Sequence, residues 1–199
     1  MSKKMIAIRT RALILMMVLA TMVLATGSIA LTAASSLQSA SGQAPAKLRE
    51  PDVIYVPTPQ EVVDAMLALA KVTEKDVVYD LGSGDGRIPI TAAQKYGARA
   101  IGIDINPQRI KEAKDNLAKT DLGDKVTFLN QDLFETDISD ATVVTLYLLP
   151  SLNIKLIPKL KALKPGTRIV SHSFDMGSEW KPEQTQDVNG RKIYYWTVQ

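Results

Sequence analysis

Along the chain, short apolar runs alternate with stretches whose apolar positions recur at helical spacing. The runs at 77–81, 98–104, 124–130, 141–149 and 168–174 are brief and rich in Val and Ile, which predicts five strands. The segments between them read as helices: Ile88 to Ala93, then Ile110, Ala113 and Leu117, then Ser151 to Leu163 with a kink at Pro158. Ahead of the first strand, Thr58 as N-cap, Pro59 at the first helical position and Glu61 closing a capping box predict another helix. Its apolar face is Val62, Val63, Met66, Leu67 and Leu69, running through Lys71. Near the end, Asn189-Gly190 between two extended segments predicts a type I′ hairpin. Trp180, Tyr194, Tyr195 and Trp196 read as core and hairpin residues. Five β/α steps and a hairpin predict one α/β domain over residues 51–199, with a seven-stranded, mostly parallel sheet.

Candidate chemistry gathers at the ends of three successive strands. The stretch Asp76-Val-Val-Tyr-Asp80-Leu-Gly82-Ser83-Gly84-Asp85-Gly86-Arg87 is a strand, a tight turn and a helix start. Glycines there let the backbone take positive φ and let a ligand approach main-chain N–H groups. A dinucleotide fingerprint needs a third glycine where Arg87 stands, and a P-loop needs a following Gly-Lys-Ser/Thr that is absent. The second strand ends in Asp104, 20 residues after Gly84, a position suited to hydrogen-bonding a ribose diol. Asn106-Pro107 then caps and starts a helix. Asp132 follows the third strand, where an acid can accept from an adenine amino group. Ligands of open α/β sheets bind at just these carboxyl ends. For Tyr55, two readings stand: an apolar staple onto the first helix, or a cover over the ligand pocket.

The N-terminal quarter changes the picture in a different way. Residues 12–34 carry no charge and follow Lys3, Lys4, Arg9 and Arg11. At about 1.5 Å per residue such a helix spans a bilayer core of about 30 Å. Its length exceeds the usual h-region of a signal peptide, so an uncleaved hydrophobic anchor over 1–34 is expected, with export after signal cleavage as the alternative. Residues 35–50 are small and polar, a flexible linker. The net charge of +3 divides unevenly, with six Lys/Arg and one Glu in residues 1–50, and 18 Lys/Arg against 20 Asp/Glu in 51–199. The domain itself is therefore at −2, which gives nucleic-acid binding no electrostatic support. With no cysteine and the single histidine His172, no thiolate or zinc chemistry is expected.

The string Asp80-Leu-Gly-Ser-Gly-Asp-Gly86 resembles motif I of class I S-adenosylmethionine (SAM)-dependent methyltransferases, whose fold is Rossmann-like. Together with Tyr55-Val-Pro-Thr-Pro, Asn106-Pro107, Asp132-Leu133 and Phe174…Trp180-Lys-Pro182, the chain is similar to a family of small membrane-anchored protein-lysine methyltransferases. Those act on the mitochondrial ADP/ATP carrier and the ATP synthase c subunit. The resemblance implies SAM as cofactor, held by Tyr55, Asp80, Gly82, Ser83, Gly84, Gly86, Asp104 and Asp132. In that scheme Asp80 faces the ammonium group, Asp104 the ribose and Asp132 the adenine. It also implies a protein substrate, with a membrane protein among the candidates, and no metal. Tyr147-Leu-Leu-Pro150 stands at the acceptor position in place of the Asn/Asp-Pro-Pro-Tyr of amino-group nucleic-acid methyltransferases. Tyr147 is expected to line the acceptor channel, and Asp85 is the candidate general base. Three other readings are a methyltransferase of small molecules, an NAD-binding oxidoreductase and a non-catalytic SAM-binding protein.

Overall fold

The computed structural model describes residues 48–51 and 54–199. The expected anchor and most of the expected linker lie outside these residues. Among the described residues no helix is long and apolar enough to cross a membrane. The elements run α1 (Gln60–Leu69), β1 (Val77–Leu81), α2 (Arg87–Tyr96), β2 (Arg99–Asp104), α3 (Pro107–Leu117), β3 (Val126–Asn130) and β4 (Val143–Leu146). Then come α4 (Pro150–Lys161), β5 (Arg168–His172), β6 (Gln184–Val188) and β7 (Arg191–Thr197).

The sheet has seven strands in the order β3-β2-β1-β4-β5-β7-β6. β1 to β5 pair in parallel, and β7 runs antiparallel to both β5 and β6. Successive strand residues face opposite sides, so each strand supplies two cores. Val78, Ala100, Val143 and Val170 pack with α1, α2 and α3. Their neighbours Tyr79, Ile101, Val144 and Ile169 pack with Leu156, Ile157 and Leu160 of α4. The direction of winding reverses between β1 and β4, which opens a crevice at the carboxyl ends of those strands.

Local chemistry explains most element ends. Asn106 caps α3, its side chain accepting from the Gln108 N–H at 2.9 Å, with Pro107 next. Asn189 and Gly190 both take positive φ, as the type I′ turn requires. α4 runs on through Pro158. One expectation is corrected: α1 starts at Gln60 and has no side-chain cap. The Thr58 hydroxyl lies against His172 instead, and the Thr58 carbonyl accepts from Arg87.

At the opposite end of the sheet, Asp76 ties four segments together. Its carboxylate accepts from the Thr73 N–H at 2.7 Å, from the Thr73 and Thr142 hydroxyls, and from Arg168. Burial raises its pKa, but these donors outweigh burial and hold it below the usual aspartate value. A depressed carboxyl contributes stability that is present above the unfolded pKa and lost as pH falls through the folded one. Asp76→Ala should therefore cost about 2 kcal/mol in chemical denaturation at pH 7, because buried donors lose their acceptor. The cost should shrink as both proteins are measured towards pH 3.

Candidate active site

The glycine turn after β1 is built from main-chain hydrogen bonds. The N–H groups of Gly82 and Ser83 both donate to the Ile103 carbonyl, at 2.8 and 2.9 Å, which clamps the turn to β2. The Gly84 N–H donates to Asp104 Oδ2 at 2.9 Å, and the Asn106 N–H to Oδ1 at 2.8 Å. Asp104 thus ends β2 by fixing both the turn and the start of α3. Gly84 has φ +53, and a Cβ there would lie 2.3 Å from the Tyr55 ring. The ring lies against the glycine turn, with the Arg109 guanidinium 4.8 Å from its centroid, which is the position of a cover. At Gly86 a Cβ would meet Phe128 at 2.4 Å and Ala113 at 2.9 Å. That glycine lets α2 sit close to the sheet.

Asp80 is fully buried at the end of β1 and accepts from the Thr145 hydroxyl at 2.7 Å. Desolvation pushes its carboxyl up to about 7, against the Thr145 bond and helped by the nearby charges of Asp104 and Asp85. Ser83 lines the same cleft, and its buried hydroxyl has no hydrogen-bond partner. A buried carboxyl without a cationic partner and an unpaired hydroxyl in one cleft are the features a polar, cationic ligand would satisfy. They fit the amino-acid end of SAM.

The cleft encloses about 110 Å³. Asp80, Gly82, Ser83, Asp85, Asp104 and Tyr55 line it, as do the apolar Leu148 and Leu152 and the ring of Tyr147. Asp132 lies outside this lining. Its carboxylate accepts from the Phe134 N–H at 2.9 Å and pairs with Arg49 at 2.6 Å, and it is held below the usual value chiefly by Arg49. Asp85 lines the cleft but is no open base. Burial raises its pKa, yet the Arg87 guanidinium, 2.6 Å away, more than reverses this and keeps the carboxyl below its ordinary value. A carboxylate so stabilised is a poor proton acceptor, which corrects the expected role.

Several residues of the site carry no signal in the sequence. Arg87 links Asp85 to the Thr58 carbonyl at 2.8 Å, although its position had served only to exclude a dinucleotide fingerprint. Arg109 lies on an amphipathic helix face and lines the cleft. His172 is buried behind Tyr147, their ring centroids 3.9 Å apart.

Comparison with known proteins agrees with this geometry. The model of the ANTKMT methyltransferase domain matches residues 80–184. A protein-lysine N-methyltransferase of Saccharolobus islandicus (strain REY15A) is 51% identical over 140 residues, 69% of this chain and 86% of the relative. The adenine nucleotide translocase lysine N-methyltransferase of Mus musculus is 33% identical over 148 residues, 73% of this chain and 62% of that protein. Among solved structures, an RNA methyltransferase from Salinibacter ruber in complex with S-adenosyl-L-homocysteine is 58% identical. It has a TM-score of 0.70, covering 72% of this chain and 94% of that one. The turn, the strand-end acids and these matches together place the chain in the ANTKMT methyltransferase domain family, as a SAM-dependent methyltransferase of class I fold.

Proposed function

We propose that the protein methylates the side-chain amine of a protein lysine. The observation that carries this reading is the 51% identity to a protein-lysine N-methyltransferase, joined to an apolar acceptor end. Bound SAM supplies a methyl group on sulfonium, already activated for in-line displacement. The chain's own part is to position and to exclude water. Asp80 receives the ammonium group, the Ser83 hydroxyl and the turn's main chain surround the methionine half, and Asp104 accepts from the ribose. Asp132 reaches the adenine when Arg49 shares or leaves it. Tyr147, Leu148 and Leu152 surround the incoming amine, and their low polarity favours its neutral form.

The large hydrophobic residues exposed in the described structure are Ile54, Tyr55, Val56, Leu149 and Ile154. All belong to two segments bordering the cleft, which suits a polypeptide acceptor. The Salinibacter ruber structure, by its name, favours one second reading, RNA. Labelled SAM offered to separate protein and RNA fractions distinguishes them. Label in protein, found on lysine by mass spectrometry, supports the proposal, and label sensitive only to ribonuclease overturns it. We also propose that residues 1–34 tether the enzyme to a membrane, raising its effective concentration towards a membrane-bound lysine. Deleting residues 1–45 should then leave SAM binding intact and slow methylation of the native target. Protease protection of the full chain in membranes tests the tether directly.

Asp80 makes cofactor binding depend on pH. The free carboxyl titrates near 7, whereas a bound ammonium group requires the carboxylate. SAM affinity should be level above pH 7 and fall about tenfold per unit below it, as binding has to expel the proton. Calorimetry from pH 5.5 to 8.5 measures this, and Asp80→Asn should flatten the profile.

A further inference from the structure

His172 is absent from every role above, yet it touches two residues that line the cleft, Thr58 and Tyr147. It is the last residue of β5, 1% exposed, and its register is set by pairing with Ile193 of β7. One ring nitrogen, Nδ1, lies 3.2 Å from the Thr58 hydroxyl. Thr58 ends the segment that carries Tyr55 over the glycine turn, and its carbonyl holds Arg87. The imidazole ring meanwhile lies 3.9 Å from the Tyr147 ring, tilted by 38°. On the far side of the imidazole, Nε2 is buried with no hydrogen-bond partner.

The backbone beyond His172 is held in a costly shape. Ser173 takes φ +63, and the Phe174 N–H donates back to the His172 carbonyl at 2.8 Å. A non-glycine residue in this region persists only where its surroundings over-determine it. Here the Phe174 carbonyl accepts from Ser171 Oγ at 2.5 Å and from Asn153 Nδ2 at 3.1 Å. Phe174 then stacks near Tyr147, with centroids 6.2 Å apart. Tyr147 is thus backed by two rings fixed in place by one strained turn.

We propose that His172 is a positioning residue that sets Tyr147 at the acceptor end through its ring and the cofactor-covering segment through its bond to Thr58. It works without gaining or losing a proton. Burial, with the Arg191 charge adding to it, drives the imidazole down to about 4, so it stays neutral over the working range. The acceptor half of this inference rests on the proposed placing of the lysine beside Tyr147.

Two variants separate the two contacts. His172→Phe keeps a ring against Tyr147 and loses the bond to Thr58. It should weaken SAM binding about 5-fold and leave kcat within about twofold, in line with one lost hydrogen bond. His172→Asn keeps a polar group for Thr58 and loses the ring. It should leave SAM affinity within about twofold and lower kcat on the labelled protein acceptor about 5- to 10-fold. Thr58→Val should reproduce the SAM defect of His172→Phe, and the double variant should be no worse than either single one. A merely structural histidine would instead lower affinity, kcat and melting temperature in step in both variants. That result, or any pattern other than the predicted split, overturns the proposal. If the His172 variants do not fold, Thr58→Val decides alone: weaker SAM binding with kcat unchanged supports it, and unchanged affinity overturns it. Should the wild-type protein label no lysine, the acceptor reading fails by itself, while SAM calorimetry on these variants still judges the bond to Thr58.

Discussion

Gly84→Val should abolish measurable SAM binding in a protein that still folds. The added Cβ falls 2.3 Å from Tyr55 Cε2, in a ring that lines the cleft. Tyr55 is 38% exposed, so its ring can swing outward and the fold survives the collision. The cleft does not, because the Tyr55 ring that lines it is driven from its place. A β-branched residue at φ +53 adds strain of about 1–2 kcal/mol, which pulls the turn away from its bond to Asp104. We expect affinity to fall at least ~100-fold, about 2.8 kcal/mol. Circular dichroism and calorimetry on one sample test both halves of the statement. Gly86→Val supplies the contrast: its Cβ would meet Phe128 and Ala113 in the packed core, so that variant should fail to fold. A folded Gly84→Val protein that binds SAM normally would remove the glycine turn from the site.

Asp104→Ala should weaken SAM binding about 5- to 150-fold, and far more than Asp85→Ala does. Removing Asp104 takes away the acceptor proposed for the ribose and also leaves the Gly84 and Asn106 N–H groups without their partner. Stranded donors and a lost ligand contact together correspond to about 1–3 kcal/mol. Asp85 stands apart because its carboxylate is already committed to Arg87, so its loss mainly frees that guanidinium. Equal small losses in the two variants would sink the ribose assignment.

What was legible in the sequence was local. The strands showed themselves by their period, the turn by its glycines, and α3 by Asn106-Pro107, because each depends on residues close together in the chain. The parallel pairing of β1 to β5 follows from the same pattern, since strand–helix alternation makes it the economical arrangement. The expected cofactor residues Tyr55, Asp80, Gly82, Ser83 and Asp104 were brought to one cleft, while Gly84, Gly86 and Asp132 lie outside its lining, Asp132 beside Arg49. The misreadings share one cause. Thr58 looked complete as a helix cap because Pro59 and Glu61 satisfied the local rule, yet its partner is 114 residues away. Asp85 looked like a free acid because nothing in the sequence says that Arg87 turns back towards it. His172 was weighed only as a metal ligand, and a stacking contact leaves no trace in residue spacing.

The position of β7 also bears on how the protein is made. It is the last strand to be synthesised, yet it lies inside the sheet between β5 and β6. During translation β1, β2 and β3 have all their neighbours once β4 has emerged and can pair from then on. β5 emerges with one edge open and waits there, a sticky template for other nascent chains, until residues 191–197 follow. His172 ends that waiting strand. The strands that end in Asp80 and Asp104 are therefore all made before β7 closes the side of the sheet that ends in His172.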